Sequence, residues 1–454
     1  MKFSVTDLGY LQKAQIDLSK DLLVLCGTNN TGKTYFAYSI YGLYKFSKTF
    51  ANSYSIPELK EELSGIFVNG NAEINLEKLF ELNKSKLVDH LTEEFKAYLP
   101  TVFAAEKEQF SATKIKIQFD DYSLIFNKIA ELELDNSLKF GDNITVRFLK
   151  QRNSAILGIV YLEEQNITNE FPKPLILQIV SSKIVELFYA LMFNNMFIAP
   201  AERIAINIFS RELSERRNKI VDALLEYKDN KKTLEQASRY SLPIRESLDV
   251  AEKLELLQKS KSEFSYFSDI LEKELLQGKI KVTKQGEVKF SPFKTTNLNL
   301  GIHLTASMVK SLSNLVFYFR HIAKPNDFII IDEPELNLHP DNQRKIARII
   351  AMVVNAGFKV LISTHSDYII RELNNLMMLN KKGNEKLVSK LMKKYSYSAN
   401  MLLDHNKVGS YLFSNNTVEE LAVSNSGFEV STIDHEINIL NNSAREIYFA
   451  LMDE

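Results

Sequence analysis

Cysteine is almost absent from this chain, since Cys26 is the only one among 454 residues. A disulfide framework and a cysteine-based zinc site are therefore excluded, and the composition is typical of a reducing cytosol. Net charge is lacking as well, because 56 Lys and Arg residues are balanced by 57 Asp and Glu residues. A basic field over the whole protein is thus excluded, and any nucleic-acid site must be a local patch.

Long apolar runs are also missing. The N-terminus has no apolar stretch of the kind found in signal peptides. The longest apolar stretch, near Pro174–Pro200, is interrupted by Lys183 and Glu186, which predicts a buried helix and not a membrane span. We therefore expect a soluble, cytoplasmic protein. Since 45% of the residues are hydrophobic, the chain can bury a sizeable core.

The hydrophobic periodicity predicts an α/β fold with a mixed sheet, antiparallel in its N-terminal part and parallel in its core. Period-two alternation over 113–165 indicates antiparallel strands. Towards the C-terminus, helices alternate with apolar strands, as in a parallel sheet covered on both faces. The main predicted elements are strands up to Cys26, helices at Lys33–Lys48, Leu76–Leu99, Pro174–Asn194, Ser307–Ile322 and Asp341–Asn355, and strands at Met196–Ala199, Phe328–Ile331 and Lys359–Ser363.

The domain organisation is predicted to be discontinuous. Residues 1–204 and 300–454 are expected to form one ATPase-type head. Residues 205–299 are highly charged and helical up to about Leu276, and they are expected to form an inserted helical lobe. A hairpin with Gln285-Gly286 at its turn should close this insertion.

The clearest motif is a P-loop, a glycine followed by four residues and then Gly-Lys-Thr, preceded by an apolar strand and followed by a helix. Its glycines allow backbone N–H groups to surround phosphates, and the following helix directs its positive N-terminus at them. Lys33 is predicted to reach the β- and γ-phosphates of ATP, and Thr34 is predicted to bind Mg²⁺. The motif consists of Gly27, Thr28, Asn29, Asn30, Thr31, Gly32, Lys33 and Thr34.

A second motif places two carboxylates after an apolar strand. Asp332 and Glu333 follow the run Phe328–Ile331. Ligands bind at the carboxyl ends of strands in open α/β sheets, so we expect both acids at the nucleotide. Asp332 is predicted to hold Mg²⁺ and Glu333 to orient and polarise the attacking water. An Asp-Glu pair that simply begins a loop is the alternative.

A histidine ends the next apolar strand. The run Val360–His365 should reach the same sheet edge, which would bring His365 near the γ-phosphate. There it could report whether that phosphate is present. A purely structural histidine is the alternative.

Together these residues resemble ABC-class ATPases of the SMC/Rad50/RecF branch. The resemblance rests on the P-loop, on the run 330–340 (Ile-Ile-Asp-Glu-Pro-Glu-Leu-Asn-Leu-His-Pro) and on Ser-Thr-His-Ser at 363–366. It is strongest to the standalone, overcoming-lysogenization-defect-like ATPases of bacterial anti-phage systems, such as the ATPase subunit of the PARIS system. The resemblance implies that two heads sandwich two ATP molecules, and hence a homodimer or higher homo-oligomer.

The resemblance also implies a signature serine that contacts the partner's nucleotide. Ser307 is the best candidate and Lys310 the next, although the usual Ser-Gly-Gly sequence is absent. Alternatively, Ser307 is only a helix N-cap. By the same resemblance, Glu202 or Arg203 couples the nucleotide to the helical lobe, unless the two simply form a structural ion pair. Asn337 and His339 should lie in the loop that faces the partner head.

Related nucleases carry a second catalytic domain after the head, whereas only 87 residues follow Asp367, fewer than an ordinary domain of that kind. The resemblance therefore implies a nucleotide-gated sensor or scaffold in anti-phage defence, whose effector, possibly a nuclease, is a separate polypeptide. A RecF/Rad50-like ATPase of DNA repair is the alternative. Two basic stretches are candidate nucleic-acid sites: Arg211, Arg216, Arg217 and Lys219, and Lys381, Lys382, Lys386, Lys390, Lys393 and Lys394.

Overall fold

A computed structural model describes residues 1–141, 143–163, 172–208, 240–283, 286–295, 298–381 and 383–452. The chain forms two compact units. The smaller unit consists of Met1–Phe3, Gly42–Tyr98 and Ile115–Asn194. The larger unit consists of Ser4–Tyr41, Leu99–Lys114 and Asn195–Glu454.

The strands of the described residues are β1 Lys2–Leu8, β2 Leu11–Asp17, β3 Leu22–Gly27, β4 Asn71–Asn75, β5 Lys114–Gln118, β6 Leu134–Phe140, β7 Ile144–Lys150, β8 Ile156–Glu163, β9 Met196–Ala199, β10 Gly278–Val282, β11 Val288–Pro292, β12 Leu300–Gly301, β13 Phe328–Asp332, β14 Lys359–Thr364, β15 Val408–Ser414 and β16 Thr417–Leu421.

The helices are α1 Lys33–Phe50, α2 Pro57–Glu62, α3 Ile66–Asn69, α4 Leu76–Phe103, α5 Ser123–Glu131, α6 Lys173–Met192, α7 Leu242–Glu252, α8 Leu254–Leu257, α9 Ser265–Ile270, α10 Ser307–Phe317, α11 Pro340–Asn355, α12 Asp367–Leu379, α13 Glu385–Tyr395 and α14 Ser431–Met452. Two of them continue as π-helical turns, α9 into Leu271–Leu276 and α10 into Tyr318–Ile322.

The larger unit is built on a mixed sheet with the strand order β1-β2-β16-β15-β3-β14-β13-β9. Strands β9, β13, β14, β3 and β15 run parallel, and β16 is antiparallel to β15. All residues of β3 and β13 are buried, which explains their uninterrupted apolar sequences. The predicted α/β fold with a parallel core is confirmed. Strands β15 and β16 were not foreseen.

The register of the parallel strands determines where the site forms. Cys26 of β3 lies beside Thr364 of β14, and Ser363 of β14 lies beside Asp332 of β13. These strands therefore end at a common edge, as expected for a sheet that binds a ligand at its carboxyl ends.

The predicted helical lobe is only partly described. Residues 209–239 lie outside the described residues, and there the lobe stays a prediction. From α8 onwards the helices belong to the core of the larger unit, since Leu254, Phe267 and Leu271 pack in one cluster with α10 and α11. Those apolar side chains are buried by the neighbouring helices, so this part is not a separate lobe. The predicted hairpin is present as β10 and β11.

The smaller unit has an antiparallel sheet of its own, in the order β4-β8-β7-β6. The antiparallel strands predicted within 113–165 are therefore present, but the stretch is not continuous. Helix α5 interrupts it and buries Ile125 and Ile129, and β4 from an earlier segment completes the sheet. Because this sheet has its own core, residues 42–98 and 115–194 are compact by themselves.

One helix of the described residues, α6, is long and apolar enough to cross a membrane by length and composition. It lies in the core of the smaller unit. Phe188 packs against Phe80, and the hydroxyl of Tyr189 bonds His90 Nδ1 at 2.8 Å. A core helix passes the same test of composition, and the helix predicted at Pro174–Asn194 is confirmed as Lys173–Met192.

Candidate functional site

The P-loop connects β3 to α1, as the sequence predicted. Gly27 has φ +137°, and a Cβ placed on it would come within 2.2 Å of the Phe413 carbonyl oxygen of β15. Only glycine fits at this turn. Within the loop, Thr28, Asn29 and Asn30 are exposed. The Thr31 hydroxyl donates to the Thr28 carbonyl at 2.8 Å, which closes the turn before α1 begins.

Lys33 is folded back onto the loop. Its Nζ donates to the carbonyl oxygens of Gly27 at 2.9 Å and Thr28 at 2.7 Å. The side chain is buried, and this burial lowers the pKa of Lys33, while the carboxylates of Asp332 and Glu333 act in the opposite direction. An ammonium that is held here by neutral carbonyls is available for a phosphate, which is a much stronger acceptor.

Asp332, the last residue of β13, is buried with 1% of its surface exposed. Its Oδ2 accepts a hydrogen bond from the Thr34 hydroxyl at 3.0 Å, and its Oδ1 accepts one from the Ser363 hydroxyl. Burial raises the pKa of Asp332 to about 6, against the effect of these hydroxyl donors. A hydroxyl beside a carboxylate is an oxygen pair that suits Mg²⁺, so the residues fit the predicted metal site.

Glu333 follows directly and has an unusual backbone. Its φ is +50°, which few non-glycine residues adopt. Its N–H donates to the Ser363 carbonyl at 3.1 Å and lies 3.2 Å from the Ser363 hydroxyl. Its carbonyl accepts from Arg203 Nη2 at 2.6 Å. The main chain is therefore held from two sides, and the partly exposed side chain projects from a fixed point.

Glu202 and Arg203, the two candidate coupling residues after β9, make separate contacts. The Glu202 carboxylate accepts from the Tyr38 hydroxyl of α1 at 3.1 Å. Arg203 is fully buried and donates to the carbonyls of Asp332 and Glu333, each at 2.6 Å. The hydrogen bonds of the two side chains thus go to different elements and do not form the Glu–Arg pair given as the alternative.

His365 lies just beyond β14, at the same edge of the sheet. Its main-chain N–H donates to Glu335 Oε1 at 2.9 Å, and its ring Nδ1 is 3.5 Å from that oxygen. The Thr364 hydroxyl donates to the same oxygen at 2.8 Å. Only 7% of the surface of Glu335 is exposed. The sequence did not predict that Glu335 would hold Thr364 and His365, although Glu335 closely follows Asp332 and Glu333 in the chain.

The structure places Ser307 and His339 at helix starts and Asn337 in the loop before one. Ser307 is exposed and is the first residue of α10, while Ala306 occupies the cap position without a side-chain hydrogen bond. The N-cap alternative for Ser307 is therefore wrong. The ring of His339 caps α11 by accepting from the Asp341 N–H at 3.4 Å, and Asn337 has φ +62° in the preceding loop.

The two basic stretches differ in how far the structure describes them. The stretch with Arg211, Arg216, Arg217 and Lys219 lies outside the described residues, and so does Lys382. On α13, Lys386, Lys390, Lys393 and Lys394 are exposed.

Residues 1–370 match the family model described as AAA ATPase domain. The match includes the P-loop, Asp332, Glu333 and His365. The chain belongs to the AAA ATPase domain family. Nucleotide binding and ATPase activity in general follow from this membership, and the predicted ATPase class is confirmed at that level.

Three solved structures are similar to this ATPase. The SMC head bound to the C-winged helix domain of ScpA is 13% identical over 93% of this chain and 97% of that one, with a TM-score of 0.36. The Pyrococcus furiosus SMC head with an extended coiled coil, bound to the C-terminal domain of ScpA, is 12% identical over 98% of each chain, with a TM-score of 0.33. The Thermotoga maritima SMC head is 10% identical over 93% of this chain and 98% of that one, with a TM-score of 0.29. The comparison with curated proteins returns no match.

Proposed function

We propose that this chain is a Mg²⁺-dependent ATPase whose site lies at the carboxyl ends of β3, β13 and β14. The observation that carries the proposal is the 3.0 Å hydrogen bond from Thr34 to Asp332, with Glu333 next in the chain. It joins the start of α1 to the end of β13 through two oxygen atoms suited to one cation. When bound, Mg²⁺ supplies charge neutralisation at the β- and γ-phosphates.

Three side chains have separate roles in the proposed binding and hydrolysis of ATP. Lys33 leaves its carbonyl partners and binds the β- and γ-phosphates, which the N–H groups of residues 27–34 surround. Glu333 accepts a proton from the attacking water and orients it towards the γ-phosphorus. His365, fixed through Glu335, contacts the γ-phosphate and so distinguishes ATP from ADP.

We further propose that ATP closes two heads into a homodimer, in which Ser307 of one head contacts the nucleotide held by the other. Its exposure at the N-terminus of α10 supports this role, since a helix start attracts phosphate. Hydrolysis then reopens the pair. In this proposal the protein is a cytoplasmic sensor or scaffold of bacterial anti-phage defence, and its state controls an effector on another polypeptide.

A RecF/Rad50-like role in DNA repair is the second candidate. The exposed lysines of α13 favour it, because Lys386, Lys390, Lys393 and Lys394 form a local basic surface on a chain without bulk positive charge. Binding of DNA through this surface should weaken steeply as the salt concentration rises.

The experiment that separates the two candidates is a pull-down of Glu333→Gln from its host in ATP, read by mass spectrometry, with Lys33→Ala as the control. A stoichiometric protein partner that is captured only in ATP, and released by the wild type on hydrolysis, supports the sensor. Recovery of nucleic acid without a protein partner favours the repair role. Equal capture by both variants would contradict nucleotide gating.

A further inference from the structure

A fully buried arginine lies behind the two carboxylates. The guanidinium of Arg203 donates to the Ser311 hydroxyl at 2.9 Å, to the Pro200 carbonyl at 3.0 Å, and to the carbonyls of Asp332 and Glu333, each at 2.6 Å. These acceptors are neutral groups. A buried guanidinium that donates its hydrogen bonds mainly to main-chain carbonyls fixes the position of that main chain.

Arg203 also reaches helix α10, because Ser311 is a residue of that helix. Ser311 lies one turn after Ser307 and is fully buried. A second contact joins the same two segments, since the Asn207 side chain donates to the Lys310 carbonyl at 2.6 Å. The segment after β9, which is helical from residue 203, is therefore attached both to the start of α10 and to the end of β13.

We infer that Arg203 is a positioning residue that couples helix α10 to the main chain of Glu333. Movement of α10, when Ser307 meets the partner's nucleotide, is transmitted through Ser311 and Arg203 to the Glu333 carbonyl. Glu333 responds because its φ of +50° is a strained conformation that persists only while its surroundings hold it. Dimer closure thereby sets the position of the carboxylate that acts on water. This inference rests on the proposed function of Glu333.

The variant that tests the coupling is Arg203→Lys. Lysine keeps the charge but has no planar fork that can reach several acceptors at once. We expect ATP affinity within about threefold of the wild type and kcat lower by about tenfold or more. Ser311→Ala should also lower kcat. The double variant should be no slower than Arg203→Lys, because both changes break the same connection.

Arg320→Lys is the matched control. Arg320 is also largely buried in the larger unit, where it donates to the Ile280 carbonyl at 2.8 Å and pairs with Glu272 at 2.7 Å. The Arg320→Lys variant should lose about as much thermal stability as Arg203→Lys and keep the kcat of the wild type. Equal loss of kcat in both lysine variants, or additive effects of Arg203→Lys and Ser311→Ala, would overturn the coupling. A Glu333→Gln variant with unchanged turnover would instead overturn the proposed function, and this inference with it.

A second and independent observation concerns α14. Six of its apolar residues recur at alternating spacings of four and three, and its described residues include no buried side chain. The exposed fractions of Leu440, Ile447 and Leu451 are 67%, 59% and 70%. Strict alternation of this kind is the a/d seam of a coiled coil, which pairs with another helix. The seam begins at Ile433, which also packs partly against the core of the larger unit. It continues with Ile437, Leu440, Ala444, Ile447 and Leu451.

The pattern points to a second copy of this chain, packed antiparallel along α14. Turning the helix about its midpoint sets Ala444 against Leu440 of the other copy, and Ile437 against Ile447. A small side chain then meets a large one. In a parallel pair Ala444 would face itself and leave a gap, which destabilises a core.

The charges of α14 agree with this occupant. In the antiparallel register, Asp434 faces Tyr448 and Glu436 faces Ala450, so no like charges are opposed. The helix carries three acidic residues and one arginine, Arg445, whereas binding to an anionic membrane surface requires a basic face.

Cysteine crosslinking tests the pairing directly, since Cys26 is fully buried and is the only native cysteine. Ser443→Cys lies near the midpoint and should form an intermolecular disulfide without nucleotide. Asn442→Cys, on the opposite face, should not. Leu440→Glu should give a monomer in light scattering while ATP binding is unchanged. A nucleotide-free wild type that is monomeric, or equal crosslinking of the two cysteine variants, would overturn this pairing.

Discussion

At the scale of single residues, the site depends on a few polar side chains held by buried neighbours. Asp332 and Thr34 come from elements far apart in sequence, and they meet because β3 and β13 end at the same sheet edge with β14 between them. Ser363 of β14 completes the group by donating to Asp332 and by approaching the Glu333 N–H. The carboxylates are therefore positioned by contacts within the fold itself, which is what efficient charge stabilisation requires.

Lys33→Ala should remove most of the nucleotide affinity. The variant loses the charge-assisted hydrogen bonds to the phosphates, so we expect binding weaker by on the order of 100-fold. Fluorescence titration with a labelled ATP analogue measures this, and an unchanged melting temperature shows that the fold persists. Retained affinity would remove Lys33 from the phosphate site.

The raised pKa of Asp332 predicts how stability depends on pH without nucleotide or metal. Its pKa of about 6 in the folded protein lies above the usual value of about 3.9 for the unfolded chain. Protonation therefore favours the folded state. The contribution is fully present below pH ~4 and is lost as the pH rises through ~6. The melting temperature of the wild type relative to Asp332→Asn should rise as the pH falls from about 7 to 5. A constant difference would contradict the raised pKa.

The residues whose sequence context is local could be predicted. The P-loop, Asp332, Glu333 and His365 each follow an apolar strand, and that placement is confirmed, while their roles remain proposals. The burial and the hydrogen-bond partners of Arg203 and Glu335 were not predicted. Each acts through contacts with segments distant in sequence, and nothing in the neighbouring residues distinguishes a buried arginine from an exposed one.

At the scale of secondary-structure elements, β15 supports the P-loop from behind. It runs parallel to β3, and Phe413 lies beside Gly27. Sequence reasoning did not find this strand, although its burial is nearly complete. Strand β4 and helix α5 were missed for a related reason, because short elements are decided by tertiary packing more than by local pattern.

Gly27→Ala should therefore disturb two strands at once. Its Cβ would lie 2.2 Å from the Phe413 carbonyl, so β15 must move away from β3. Gly357→Ala is the control, since Gly357 also has positive φ, +94°, but no atom lies within 4 Å of its added Cβ. We expect the control to lose about 1–3 kcal/mol from backbone strain alone. Gly27→Ala should lose more and also lose ATP binding. Equal destabilisation in thermal melts would contradict the role of Phe413.

At the scale of the whole molecule, the chain consists of a larger unit that contains the complete candidate site and a smaller unit with its own antiparallel sheet. The parallel core could be predicted because buried parallel strands have continuous apolar sequences. The division into units could not be predicted, since it depends on which segments pack together. Membership of the AAA ATPase domain family fixes the class of activity, whereas the proposed signal and effector would be recognised by surfaces outside the site.

Hydrolysis by Glu333→Gln, measured beside its ATP affinity in saturating Mg²⁺, tests most directly whether Glu333 acts on the attacking water. Glutamine keeps the size of the side chain but cannot accept the proton of the attacking water. We expect ATP affinity close to that of the wild type and turnover slower by on the order of 100-fold. Turnover at the wild-type rate would contradict it, because Glu333 would then not act on water and the catalytic group would lie elsewhere.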